Sequence, residues 1–207
     1  MRPTKKIHKN FFALIYLNSI VPLSTDAKGF LAEHVRGVQF SKGDMVHSEG
    51  DTCTKLYLIK KGLVRGYFLS EGKDVTTWIS TDNEIFTSIT GFFTNQPVKE
   101  NIQCLEDTDC LYLESVDLEY GMRTFSEFGE LYRKLLIDYY IHAENRAFMA
   151  RIPNALKRWN YFRETNKPEL INRIPNKYLS SLLAMRPETL SRIIKEHTEL
   201  MEKEEKE

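Results

Sequence analysis

The feature that most constrains the fold is a change of period near residue 125. From Gly37 to Leu113 the chain reads as short β-rich runs: "GVQFSKGDMVHSEGD", "KLYLIKKGLVRGYFL", "DVTTWIST" and "IQCLEDTDCLYL". Gly43, Gly50, Gly62 and Gly72 stand at or beside the expected turns, where glycine tolerates positive φ. Many short strands with regular turns predict a sandwich or barrel. Leu56 and Leu58 alternate with the equally apolar Tyr57 and Ile59, as on a strand buried on both faces. After "SVDLEYGMRTFSE" the spacing becomes helical. Phe128, Tyr132, Leu135, Tyr139, His142, Arg146 and Met149 recur at alternating intervals of four and three, a heptad seam. Such a seam packs either on a second copy of the chain or on its own domain, and the first is the expectation.

The expected class is therefore α+β. Residues 1–125 are expected to form a β-roll of the double-stranded jelly-roll type, 126–150 a dimerisation helix, and 151–207 a helical C-terminal domain with an acidic tail. The chain has 207 residues with 29 basic and 29 acidic side chains, so net charge alone points to no polyanion or membrane. The distribution does point. Residues 151–198 carry ten Lys/Arg against four Asp/Glu, and the last nine carry two against five. Cys53, Cys104 and Cys110 have no CxxC or zinc-like spacing, which predicts reduced thiols, no metal and a cytoplasmic setting. The start "MRPTKKIHKN" before "FFALIYLNSIV" is broken by Asn18 and Ser19 and lacks a small-residue cleavage site. The apolar run is also shorter than the roughly 20 residues a membrane span needs. An amphipathic first helix is expected there, and no membrane partner.

In the basic block, "IPNALKRWNYFRETN" reads as a helix and "KPELINRIP" as its connection to "IPNKYLSSLLAMRPETLSRIIKEH". The last segment fits two helices across a three-residue turn. Tyr178, Leu179, Leu182 and Leu183 face inward on the first, and Leu190, Ile193 and Ile194 on the second, which opens at Pro187. Its outer face keeps Glu188, Thr189, Ser191, Arg192 and Lys195. Buried leucines under short polar and basic side chains suit a helix entering the major groove, where arginine reads guanine and glutamate accepts from cytosine. A solvated helical hairpin is the alternative, and the surrounding positive block favours DNA.

With these residues in view, the chain resembles the Crp/Fnr superfamily of bacterial transcription regulators, the cyclic-AMP-receptor-like proteins. The resemblance rests on "FSKGDMVHSEGDTCTKLYLIKKGLVRGYF", the long helix and "YLSSLLAMRPETLSRIIK". It implies a homodimer that binds double-stranded DNA, with Arg186, Pro187, Glu188, Thr189, Ser191 and Arg192 at the base edges or beside them and Lys177 and Lys195 on phosphates. RNA polymerase and a small-molecule effector are further partners it implies. It also gives "FTSITGFFTNQPVKENIQ" a role as counterpart of the phosphate-binding cassette. There Thr87 and Ser88 replace Gly-Glu, and Glu100 and Asn101 replace Arg-Ser. A carboxylate in place of the cation costs several kcal/mol toward a phosphate, given about 4 kcal/mol per charge pair at 4 Å and an effective dielectric near 20. On a strand Lys99 faces opposite to Glu100, and a one-residue slip of register exchanges them. The expectation is a roll that does not answer to cyclic AMP, with a pocket around Thr87, Ser88, Lys99, Glu100, Asn101 and His142.

The departures at the DNA end are Ala184 and Arg186, where the family turn offers glycine and a hydroxyl cap, and the lack of sequence for a wing after the second helix. No cofactor is expected, since three cysteines cannot ligate an iron-sulfur cluster. His34, His47 and His142 read as ordinary histidines, with His142 singled out by its place on the long helix. An enzyme on a cupin-like roll is not expected, because His8, His34, His47, His142 and His197 are scattered. A roll that still binds a cyclic nucleotide remains the alternative.

Overall fold

A computed structural model describes residues 7–204, with side chains from residue 11 onward and, past His197, at Glu199 alone. The basic start and most of the acidic tail lie outside the described side chains. The chain divides into two compact units, 1–66 with 79–140 and 67–78 with 141–207.

The first unit opens with α1 (Ile7–Ile20) and α2 (Thr25–His34). Ser24 caps α2, its Oγ accepting from the Ala27 amide at 3.3 Å, which satisfies a donor that the first turn leaves without a partner. The strands follow as β1 (Arg36–Phe40), β2 (Met45–His47), β3 (Lys55–Lys61), β4 (Leu63–Ser70), β5 (Lys73–Thr81), β6 (Ile85–Phe86), β7 (Asn101–Cys104) and β8 (Thr108–Glu114). They form two four-stranded sheets in the orders β1-β8-β3-β6 and β2-β7-β4-β5, the jelly-roll expectation. Helix α3 (Ile89–Thr94) sits between β6 and β7, and α4 (Ser115–Thr124) follows β8.

Two turns of the same sequence pattern, Ser-x-Gly-Asp, flank β2. At Ser41–Asp44 and again at Ser48–Asp51 the aspartate carboxylate accepts from the serine amide, at 2.8 and 2.7 Å. Gly43 and Gly50 have φ of +95° and +94°, the third-position geometry of a type II turn that glycine enters without penalty.

The near-continuous apolar reading of β3 has a direct cause. Leu58 pairs with Leu111 and Leu56 with Leu113, and Leu58, Leu111 and Leu113 join Ala27, Phe30, Leu31 and Phe128 in one core beneath the helices. Tyr57 and Ile59 point the other way and are also buried, at 4% and 0% exposed. Both faces of the strand are thus removed from water.

The long helix α5 (Ser126–Arg151) follows Phe125. Two members of the expected seam are corrected, both buried within their own chain: Met149 is 5% exposed, and Phe128 is 2% exposed and packs edge-on against Phe30, so it belongs to the core of the first unit. Tyr132 stands edge-on to Phe93 of α3 at 6.0 Å, and Leu135 is half-buried. Tyr139 and His142 are exposed, as are Leu136, Ile137, Tyr140, Ile141 and Phe148.

In the second unit come α6 (Ala155–Thr165), α7 (Pro168–Arg173), α8 (Asn176–Leu182) and α9 (Pro187–Glu204). The connection "KPELINRIP" contains the short α7, with Pro168 in its first turn, where the missing N–H costs nothing. Trp159, Phe162, Ile174, Leu179, Leu183, Leu190 and Ile193 are buried. No helix among the described residues is long and apolar enough to cross a membrane.

Candidate functional site

Two regions carry chemistry, and each is built within one unit. In the first unit the segment from Thr87 to Asn101 folds onto the β2–β3 loop. The Val98 amide donates to the Asp51 carbonyl at 2.9 Å and the Val98 carbonyl accepts from Gly50 at 2.8 Å. Asn101 extends this zipper, its Oδ1 accepting from the Glu49 amide at 3.1 Å. Gly91 permits the close approach of α3. A Cβ there would lie 2.9 Å from Val98 Cγ2 and 3.0 Å from Cys53 Cβ, distances that force a shift in a packed interior.

Of the expected pocket residues, Thr87, Ser88 and Asn101 are buried, Glu100 is half-buried and Lys99 is exposed. His142 is exposed and belongs to the second unit. Ser88 is the N-cap of α3 without a side-chain cap bond, and its carbonyl accepts from Phe92 at 2.8 Å. A buried guanidinium of this unit is Arg65 on β4, 2% exposed, whose Nε and Nη2 donate to Gln103 Oε1 at 3.1 and 2.9 Å.

Cys53, read in the sequence as an ordinary reduced thiol, stands beside Thr87. Cys53 Sγ is 3.2 Å from Thr87 Oγ1, and the Thr87 hydroxyl donates to the Lys55 carbonyl at 2.9 Å. Burial opposes ionisation of Cys53. His47 and the Ser88 amide act against that effect, and the thiol is brought down to about 7. The other two cysteines go the opposite way: burial pushes Cys104 up to about 11 and Cys110 to about 12. His47 is 8% exposed and its Nε2 has no partner. The signal in the sequence was "HSEGDTC", a Ser-x-Gly-Asp turn that brings the ends of the loop together.

A separate apolar cleft lies along α1, α2, β3, β8 and α5, lined among others by Leu17, Leu31, Leu58, Leu113 and Leu131. It has no charged group in its lining, so it lacks the means to orient a phosphate. Among the described residues no group of three His, Cys, Asp or Glu is placed to hold a metal.

The second region is the turn between α8 and α9. Ala184 adopts φ +49°, the left-handed conformation expected from its place in the turn, at a cost of about 1–2 kcal/mol for a residue with a Cβ. Arg158 of α6 spans this turn. Its Nε donates to the Leu183 carbonyl at 2.7 Å and its Nη2 to Ala184 at 3.0 Å. Its Nη1 donates to Ile152 at 2.6 Å and Pro153 at 3.2 Å. One planar cation thus ties the start of α6 to the turn, a use that suits arginine's fork of donors.

Beyond the turn, Leu190 and Ile193 are 0% and 5% exposed. Arg186, Pro187, Glu188, Ser191, Arg192 and Lys195 are exposed, as is Lys177 on α8. Thr189 is half-buried, a correction to its place on the outer face: it stands next to Leu190 at the edge of the buried stripe. Arg192 and Lys195 pair with Glu196 and Glu199 one turn on, at 3.9 and 3.8 Å. Such exposed pairs are worth little and separate readily.

Residues 37–124 match the family model described as Cyclic nucleotide-binding domain. FixK2 from Bradyrhizobium japonicum is similar in structure, with a TM-score of 0.67, 17% identity and coverage of 80% of this chain and 85% of that one. A CooA mutant from Carboxydothermus hydrogenoformans gives 0.66 and 20% over 90% and 84%. A putative transcriptional regulator of the Crp/Fnr family from Eubacterium rectale gives 0.64 and 19% over 85% and 84%. No curated protein matches the chain. Residues 37–124 are thus similar to the cyclic nucleotide-binding domain, and the fold is that of these regulators.

Proposed function

We propose that the protein is a homodimeric, DNA-binding transcription regulator whose roll does not respond to cyclic AMP. The observation that carries the reading is α9: fully buried Leu190 and nearly buried Ile193 hold it down, while Arg186, Glu188, Ser191, Arg192 and Lys195 stand exposed. Two such helices in a two-fold dimer read major grooves about 34 Å apart. In this reading Arg192 and Glu188 meet base edges, and Lys177 and Lys195 meet phosphates. Exposed Leu136, Ile137, Tyr140 and Ile141 on α5 supply the dimer face. Three unpaired cysteines fit a reducing, cytoplasmic setting.

The test is selection of bound fragments from host genomic DNA, followed by titration of the recovered site across a range of salt. Arg192→Ala is expected to weaken that site by about 1–3 kcal/mol, roughly 5- to 200-fold, and to relax the base preference at one position. Equal affinity of the variant for specific and scrambled sites, matching the wild type, would overturn the assignment.

The family match over residues 37–124 favours a second reading, in which the roll still takes a cyclic nucleotide. A half-buried Glu100 and a zipped loop argue against it, since an anion in that setting meets a like charge. Calorimetry with cyclic AMP and cyclic GMP is expected to show no heat of binding at micromolar concentrations. Micromolar affinity for either would establish the second reading.

A further inference from the structure

We propose that the apolar cleft between α1, α5 and the β3–β8 pair binds an alkylammonium ion, its chain among the leucines and its positive head at the carboxylates of Glu84 and Asp138. The cleft is lined from α1 by Ala13 and Leu17, from the sheet by Leu58 and Leu111, and from α5 by Leu131 and Leu135. Ala13, 2% exposed, is the smallest of these side chains. A methyl where its neighbours carry isobutyl groups leaves space unfilled. Space walled by such groups offers water no hydrogen-bond partners, so a hydrocarbon guest enters without displacing an ordered water and supplies the contacts that the lining lacks.

The shape selects a chain. Leu58 pairs with Leu111 and Leu56 with Leu113 along the β3–β8 ladder, and all four line the cleft. Two residues of strand advance about 7 Å, which accommodates an extended chain of about six carbons.

The charge at one end selects the head. Leu131, Leu135 and Asp138 follow one another on α5 at spacings of four and three, so Asp138 continues the lining face of that helix. Ala13, Tyr16 and Leu17 share a face of α1 in the same way, and Glu84 directly precedes Ile85, which also lines the cleft. Tyr16 packs against the same core. Its phenol is pushed up first by burial and then by the charges of Asp138 and Glu84, so both carboxylates face this end. Lys134 of α5 is engaged by the Ile20 carbonyl at 2.9 Å and by Glu130 at 3.4 Å. Three carboxylates thus stand against one ammonium, a balance that attracts a cation and repels a fatty carboxylate of the same length. The inference stands whether or not the C-terminal unit binds DNA, because every group it uses lies in the first unit.

The test titrates the full-length protein with n-hexylammonium, n-hexanol and hexanoate and follows the alanine and leucine methyl resonances by NMR. Shifts are expected at Ala13, Leu17, Leu131 and Leu135. The ammonium should bind at least about 10-fold more tightly than hexanoate, with the alcohol between them. Each methylene added from butyl to hexylammonium should tighten binding by about 4-fold. Asp138→Asn is expected to narrow the gap between ammonium and carboxylate several-fold while leaving hexanol binding unchanged; a merely structural role would move all three ligands alike. Equal affinity for the three head groups, indifference to chain length, or shifts confined to methyls outside the cleft would overturn the proposal. The head-group and chain-length comparisons are made on the wild-type chain, so they decide the matter even if the variant fails to fold.

Discussion

Arg158→Ala is expected to lower the stability of the second unit by about 2–4 kcal/mol, and its melting temperature by on the order of 10 °C. The reason is the number of groups it leaves behind. Four carbonyls, of Ile152, Pro153, Leu183 and Ala184, accept from this one side chain, and each loses a charge-assisted bond. Water can replace some of them, which keeps the estimate below the sum of four. The turn also has Ala184 at φ +49°, so its conformation opposes itself once the clamp is gone. Arg158→Lys is expected to recover little, since one ammonium cannot present donors to all four. Ala184→Gly should restore about 1 kcal/mol by removing the Cβ penalty. Circular-dichroism melts of the three variants and the double variant check these values. A melting temperature within 2–3 °C of wild type for Arg158→Ala, well short of the shift of about 10 °C expected, would show that the carbonyls are satisfied without it.

Joint replacement of Ile137 and Ile141 by glutamate is expected to convert a dimer to a monomer and to weaken binding to a palindromic site by at least 100-fold. Both side chains are about half exposed, at 47% and 48%, and they stand one turn apart on α5, so the monomer loses little packing. In a two-fold interface each copy loses two buried isoleucines, worth about 1.5–3 kcal/mol apiece when fully buried, and gains two carboxylates facing their mates. Sedimentation velocity reads the assembly state and gel shift the DNA binding. If the wild-type chain already sediments as a monomer at tens of micromolar, the dimer assignment fails. If the variant remains a dimer, a different face joins the copies.

What was legible in the sequence was what depends on period and punctuation. Gly43 and Gly50 announced their turns because only glycine enters φ near +95° freely. The alternation of Leu58 with Tyr57 and Ile59 announced a strand with no wet face, and the Leu179, Leu183, Leu190 and Ile193 stripe announced the paired helices. What stayed hidden depends on partners distant in the chain. Phe128 fits a heptad as well as any seam residue does, and only the presence of Phe30 at 5.8 Å decides that it is core. The Cys53 environment needs the β2–β3 loop to fold back on Thr87, 34 residues later. Arg158 lies 25 residues before the turn it holds, on a helix whose charged positions all read alike.

The Arg158 clamp bears on how this region can be inherited or engineered. If α8 and α9 recognise DNA as proposed, that segment resembles an exchangeable part, bounded by Pro175 and the end of α9. Its turn, however, is held by a side chain encoded before it, on α6. A recombination junction placed between α6 and α8 separates the donor from its acceptors. On the proposed reading the unit of exchange is therefore the stretch from Ile152 through α9, and a change of DNA specificity is expected from replacing exposed residues of α9 one at a time.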